Sequence, residues 1–168
     1  MTAPVRTSRI IESRLAASPA ANLTADDRAL LAAAQQARVN AYAPYSRFGV
    51  GSAVRSVGGD IYTGANMENA SYGLTICAEI GALQRSVTDR DFKVAAIAIV
   101  GGPLDGVDPG TQPTTPCGRC RQLIFEASQV AGGDVRVLCA NADLSRVLVT
   151  TISDLLPHAF GPKDLGLA

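Results

Sequence analysis

The architecture this sequence predicts is an α/β sandwich with helices on both faces of a mixed sheet of about five strands, and three observations carry it. An Ala-rich helical segment comes first, followed by two strands joined at a Gly-Gly turn. Helical and strand patterns then alternate, and one strand, Phe92 to Val100, is almost continuously apolar. A run of that kind belongs to a strand covered on both faces, which requires helices on each side of the sheet.

Thr24-Ala25-Asp26-Asp27 supplies an N-cap with an acidic first turn, and the run from Asp26 to Tyr42 has strong helix propensity until Pro44 stops it. From Gly49 to Val57 the alternation of Val50, Ser52, Val54 and Ser56 marks a strand; Gly58-Gly59 turns the chain, and Asp60 to Gly64 returns as a hairpin. Ala65 to Thr75 is a polar loop, with Thr75 placed to cap a helix from about Ile76 to Thr88. Gly101 to Thr115, rich in Gly, Pro and Asp, reads as a loop. Pro116 then opens a second helix with an apolar stripe at Leu123, Ile124 and Ala127. Val135 to Ala140 and Arg146 to Thr150 complete the strands, and Ser153 to Phe160 forms a short helix and tail.

A chain of 168 residues is an ordinary size for one domain. Fifteen Lys and Arg balance fifteen Asp and Glu, and no basic run appears, so attraction of a polyanion such as nucleic acid is not expected. No apolar stretch approaches the roughly 18 residues that cross a bilayer, so no membrane partner is expected either. Met1 to Asn22, with Arg6, Arg9 and Arg14 but no compact apolar core, reads as an extension to a cytoplasmic protein; Glu12 argues against an organelle presequence. The four cysteines read as reduced thiols, with Cys139 in an apolar run as a small core residue.

The chemistry sits in Cys77-Ala78-Glu79 and Pro116-Cys117-Gly118-Arg119-Cys120. Cys117 and Cys120, three apart at a helix start, point their sulfurs to one side, and Cys77 can close a three-thiolate zinc site from another helix start. A CxxC alone serves zinc ligation, redox exchange and a plain structural pair alike. The redox reading needs the motif after the first strand of a βαβ unit, whereas here it arrives late. Three ligands leave a tetrahedral corner open, the mark of a catalytic zinc at which water can be acidified. Glu79 is then the carboxylate that handles that water's proton. Its plainer alternative is an exposed glutamate near a helix N-terminus.

These residues, with Tyr45-Ser46-Arg47-Phe48-Gly49-Val50-Gly51, Gly64-Ala65-Asn66-Met67-Glu68-Asn69-Ala70-Ser71-Tyr72, the continuation Arg121-Gln122 and Leu155-Leu156-Pro157-His158-Ala159-Phe160, resemble the short homotetrameric cytidine deaminases of pyrimidine salvage. The match runs from about Ala32 to Leu165, so residues 1–22 stand outside it and 23–168 form the deaminase-like unit. The resemblance implies the three-layer α/β/α sandwich of that family, with Zn²⁺ held by Cys77, Cys117 and Cys120 and with Glu79 as proton shuttle. It also implies a pyrimidine nucleoside as substrate, with Phe48 against the nucleoside, Asn66 and Glu68 on the 3′-hydroxyl of the sugar, and Ala78 among the substrate contacts. Tyr72 and Phe160 match positions that reach the active site of a neighbouring subunit. Read without the resemblance, Asn66 and Glu68 are solvated loop residues, Phe48 is a core aromatic and Phe160 anchors the tail. His158 is assigned no chemistry.

One position departs from the family. Where its members usually have Cys-Ala-Glu-Arg-Thr-Ala, this chain has Ile80-Gly81-Ala82 after Glu79. Three thiolates and Zn²⁺ sum to −1, and an arginine there can drain charge from sulfur; Ile80 cannot, which weakens the zinc as a Lewis acid unless another group compensates. The two helix N-termini and Arg119 are the candidates, Arg119 having as its simpler reading a solvent-facing side chain.

The implied reaction is attack of activated water on C4 of cytosine, with Glu79 carrying protons to N3 and to the departing ammonia, so that cytidine or deoxycytidine becomes uridine or deoxyuridine. A zinc aminohydrolase of another aminopyrimidine nucleoside or of a nucleoside antibiotic, a polynucleotide deaminase and a non-catalytic zinc-stabilised nucleoside-binding module are the alternatives.

Overall fold

A computed structural model describes residues 23–105 and 112–167 together with the backbone of 9–12. A six-stranded mixed sheet has the order β1-β6-β5-β4-β2-β3, where β1 is Arg9–Glu12, β2 Phe48–Ser56, β3 Ile61–Ala65, β4 Val94–Pro103, β5 Arg136–Asn141 and β6 Arg146–Thr151. Of these strand pairs only β4 and β5 run parallel, joined by the crossover through a helix that such a pair requires. The other pairings are antiparallel.

Helix α1, Ala25–Arg38, covers one face, and α2, Ala78–Thr88, with α3, Gly118–Ala131, covers the other; α4, Ile152–Leu155, is a single turn after β6. The apolar run in β4 divides its side chains between two cores. Ala96, Ala98 and Val100 meet Leu30, Leu31 and Ala34 of α1, while Ile97 and Ile99 meet Ala82, Leu83, Ile124 and Ala127 of α2 and α3. Buried Cys139 belongs to the second core, as expected.

Several boundaries differ from the sequence expectation. Helix α1 ends at Arg38 rather than Tyr42, because the Tyr42 N–H bonds Asn66 O at 2.9 Å in a short bridge. Thr75 does not cap α2: Ile76 is extended and exchanges two hydrogen bonds with Met67, both 2.9 Å, so the helix begins only after Cys77. Strand β4 continues to Pro103, three residues into the expected loop, because β2 pairs with it as far as Phe48. Strand β1 comes from the segment read as an extension and adds a sixth strand along β6. The rest of residues 1–22 lies outside the described residues.

Two glycines set how closely the helices approach. A Cβ at Gly51 would stand 2.0 Å from the Ala34 carbonyl oxygen of α1, and one at Gly64 would stand 2.5 Å from the Ala78 carbonyl oxygen of α2. Gly64 thereby lets the first turn of α2 lie directly on β3.

Candidate metal centre

Cys77 is the N-cap residue of α2 and Cys117 the N-cap residue of α3, both in extended backbone and neither using its side chain as a cap. Their sulfurs are therefore free to face each other across the gap between the two helix starts. The Cys77 and Cys117 Sγ atoms are 3.9 Å apart, and with Cys120 Sγ all three lie within 4.8 Å of one another. A tetrahedral zinc with Zn–S bonds of about 2.3 Å needs sulfurs roughly 3.8 Å apart, so the trio fits zinc closely. All four cysteines are free thiols.

The thiolate form is favoured at Cys77. Hydrogen bonding from Cys120, then from Cys117, and the charge of Arg119 draw its thiol below the ordinary range against the opposing effect of burial. The same contact with Cys77, and then burial, push the Cys120 thiol up, so charge concentrates on Cys77. Both helix N-termini add unpaired N–H groups and positive dipole ends. Deep in the second core, Cys139 is pushed up by burial and stays a thiol.

Glu79, at the second position of α2, is only 4% exposed. The exposed-glutamate alternative therefore does not hold. Burial, with the nearby Cys77 charge adding to it, raises its carboxyl to about 7. Ala78 is buried between Cys77 and Glu79, and Ile80 is buried after them.

The residues expected to meet the nucleoside form a second group, gathered around the start of β2. The Asn66 side chain accepts from Val50 N–H at 2.8 Å and donates to Phe48 O at 3.0 Å. One Glu68 carboxylate oxygen accepts from Tyr45 N–H at 2.9 Å and Ser46 N–H at 3.2 Å, and Ser46 holds the Glu68 carboxyl below its ordinary range. Phe48 is half-exposed rather than a core aromatic. The Met67–Ile76 bridge joins this group to the metal centre, because Met67 lies between Asn66 and Glu68 and Ile76 precedes Cys77.

Within the chain neither Tyr72 nor Phe160 belongs to the thiol cluster, and Tyr72 touches the second group through Tyr45. Tyr72 is 74% exposed and meets the edge of Tyr45, centroid to centroid 5.9 Å; Phe160 is 61% exposed. Arg119 is exposed and lines, with Ile80, Leu83, Val87, Phe92 and Leu123, an apolar groove of about 520 Å³ between α2 and α3.

Three residues of structural weight had no role assigned to them from the sequence. Arg38 donates to Gly49 O at 3.1 Å, Gly102 O at 2.8 Å and Pro103 O, tying the end of α1 to β2 and β4. Arg121 and Gln122 reach backbone carbonyls on either side of α3. Their position beside the ligands was the available signal; their partners were not legible.

Residues 24–132 match the model of the cytidine and deoxycytidylate deaminase zinc-binding region. A cytidine deaminase of Halalkalibacterium halodurans is 41% identical over 142 residues, spanning 83% of this chain and 98% of that one. The crystal structure of cytidine deaminase from Burkholderia pseudomallei superposes with a TM-score of 0.70 at 41% identity, covering 82% of this chain and 100% of that one. That from Mycobacterium tuberculosis gives 0.64 at 35% identity, covering 82% and 99%. No helix among the described residues is long and apolar enough to cross a membrane.

Proposed function

The chain belongs to the cytidine and deoxycytidylate deaminase family, and we propose from that premise that it hydrolyses cytidine, deoxycytidine or both to the uracil nucleoside and ammonia. The observation that carries the reading is the trio of thiols at two helix starts beside a buried glutamate.

Cys77, Cys117 and Cys120 hold the zinc. When bound, zinc would supply a Lewis acid that acidifies water and stabilises negative charge on the oxygen that attacks C4. Glu79 takes one proton of the water on its carboxylate and delivers it to N3, then takes the second from the hydroxyl left on C4 and gives it to the amine, which departs as ammonia while the C4 oxygen becomes the carbonyl. Its buried setting keeps the proton affinity near neutrality, where one group can serve as base and then acid. Phe48 packs on the nucleoside. Asn66 and Glu68 are braced through the backbone of residues 45–50, so their remaining hydrogen-bonding capacity is preorganised for the sugar hydroxyl. Ala78 lines the ring pocket through its backbone.

Residues 23–168 make up the catalytic unit, with 1–22 as an extension to it, and the protein works in the cytoplasm, where four free thiols persist. It assembles as a homotetramer. In support, Tyr72 and Phe160 present exposed rings with little use within their own chain, and the groove between α2 and α3 is apolar.

Ultraviolet assays on cytidine and deoxycytidine, with zinc analysis of the same sample, test the reading. Glu79→Gln retains zinc and loses about 10²–10⁴ in turnover, as removal of a general acid–base does. A Glu79→Gln protein working at near-normal rate would overturn the role of the carboxylate, and zinc-loaded protein that releases no ammonia from either nucleoside would overturn the activity.

A further inference from the structure

Arg121 has no part in the chemistry above, yet it makes two contacts that bear on the metal centre. Its Nε donates to Pro116 O at 2.8 Å, the carbonyl immediately before the ligand Cys117. Its Nη1 donates to Leu155 O at 3.2 Å, at the end of α4. The next residue, Gln122, donates from Nε2 to Phe160 O at 2.8 Å. One turn further along α3, the Phe125 ring lies so close to Gly161 that a Cβ there would sit 2.6 Å from it. Residues 121, 122 and 125 thus grip the backbone of 155–161, and the first of them also grips the loop that aims a metal ligand.

The grip is chemically asymmetric. The acceptors of Arg121 and Gln122 are all main-chain carbonyls, so these contacts fix the path of the C-terminal segment without using its side chains. The Phe160 ring stays free while its own carbonyl is held. A guanidinium is suited to the bridging position because its fork carries rigidly oriented donors, whereas an ammonium is a single point.

We propose that Arg121 is a positioning residue through which the C-terminal segment 155–161 and the Cys117–Cys120 thiol pair hold each other in place, so that zinc retention and docking of that segment form one linked equilibrium. The proposal rests on the zinc reading of the three thiols. Linkage is reciprocal: whatever docking of the segment contributes to zinc retention, zinc contributes to docking.

Zinc-loaded, full-length protein is challenged with an excess of a chromophoric chelator, and zinc release is followed in wild type and variants. Arg121→Met, which keeps length and loses both donors, releases zinc about tenfold faster, the factor expected for a lost charge-assisted hydrogen bond. Arg121→Lys falls between, since its charge remains but only one carbonyl is reached. Gln122→Ala leaves Arg121 intact and loosens only the segment, speeding release by about threefold. Asp27→Ala removes a paired carboxylate of α1, on the opposite face of the sheet, and serves as the control that lowers thermal stability without changing release. Stripping zinc from wild type raises hydrogen exchange in the peptide covering 156–161, and in Arg121→Met that exchange no longer depends on zinc.

Release from both Arg121→Met and Gln122→Ala within about twofold of wild type would overturn the linkage. So would wild-type exchange over 156–161 that is the same with and without zinc. Gln122 is exposed, so Gln122→Ala decides the matter alone if Arg121→Met does not fold. Metal analysis before the chelator is added separates this from failure of the zinc reading, which would show as wild type holding no zinc.

Discussion

Gly64→Ala is the substitution in which geometry and chemistry meet most directly. The added Cβ would stand 2.5 Å from Ala78 O, 2.5 Å from Ala82 N and 2.9 Å from Gly81 C. All three are main-chain atoms of α2, so no rotamer relieves the contact. Ordinary contact begins at 3.4 Å, so α2 must retreat by about 0.9 Å, the difference between 3.4 and 2.5. Ala78 lies between Cys77 and Glu79, and both retreat with it. That shift is several times the roughly 0.2 Å within which a metal–ligand distance must fall. A catalytic group misplaced by about 1 Å costs on the order of 10²-fold in rate. Zinc-saturated Gly64→Ala is therefore expected to lose about 10²-fold in kcat, to release zinc faster, and to lose only about 1–3 kcal/mol of stability, the usual range for overpacking. The assays are ultraviolet deamination kinetics, chelator competition and urea denaturation. Gly133→Ala, with open space around its Cβ, is the control. A Gly64→Ala protein with kcat within about threefold of wild type and normal zinc release would refute the argument that contact with β3 places the ligand and the glutamate.

Asp27, 1% exposed, pairs through both carboxylate oxygens with Arg136, each contact 3.0 Å, and completes the capping box of α1. Asp27→Ala is expected to cost about 2–3 kcal/mol in urea denaturation, the loss of a charge-assisted pair with a cap; a cost below about 0.5 kcal/mol would show the pair to be idle. Burial pushes this carboxyl up, but Arg136 and Thr24 outweigh it, so the folded value lies below the unfolded 3.8. The pair's contribution is thus present above the unfolded value and drains as pH falls past it through the lower folded value, so wild type should lose stability more steeply than Asp27→Asn as the solution is acidified below 3.8. Arg119→Ala and Arg119→Gln should each weaken zinc binding by about tenfold, the low end for a group acting through a ligand, because Arg119 draws Cys77 toward its thiolate. Unchanged affinity and an unchanged pH–rate profile in both would remove Arg119 from the metal's surroundings. Cys117→Ala should lose the zinc outright and melt earlier than wild type, read by metal analysis and calorimetry.

What could be read in the sequence followed from local rules, and what could not depended on distant partners. Phe92 to Val100 announced a doubly covered strand because each alternate side chain needs its own apolar neighbours, and both cores are there. Strand β1 gave no comparable sign, since it exists by pairing Arg9 with Val149 along the edge of β6. Asn66 and Glu68 looked like loop polarity because their work is to brace backbone 16 to 23 residues earlier. Arg121 stood in plain view beside Cys120, yet its meaning lies in a carbonyl 34 residues away.

The cysteine trio was legible for a reason that appears at the helix starts. Helices α1 and α4 begin with threonines whose hydroxyls accept from the first turn, Thr24 and Thr151. Helices α2 and α3 begin with Cys77 and Cys117, which make no such bond. An N-cap without a side-chain acceptor forgoes about 1 kcal/mol, a local violation with no gain in packing, since Cys117 is exposed and Cys77 half-buried. The two violations meet, their sulfurs 3.9 Å apart, beside a buried carboxyl whose proton affinity is near neutrality. Two helices that each give up a cap at the same point in space have a shared use for the sulfur. A sulfur kept off its own backbone can donate to a third atom. A divalent cation gripped by three thiolates, which the two helix N-termini help to keep ionised, returns more binding energy than the caps would have supplied.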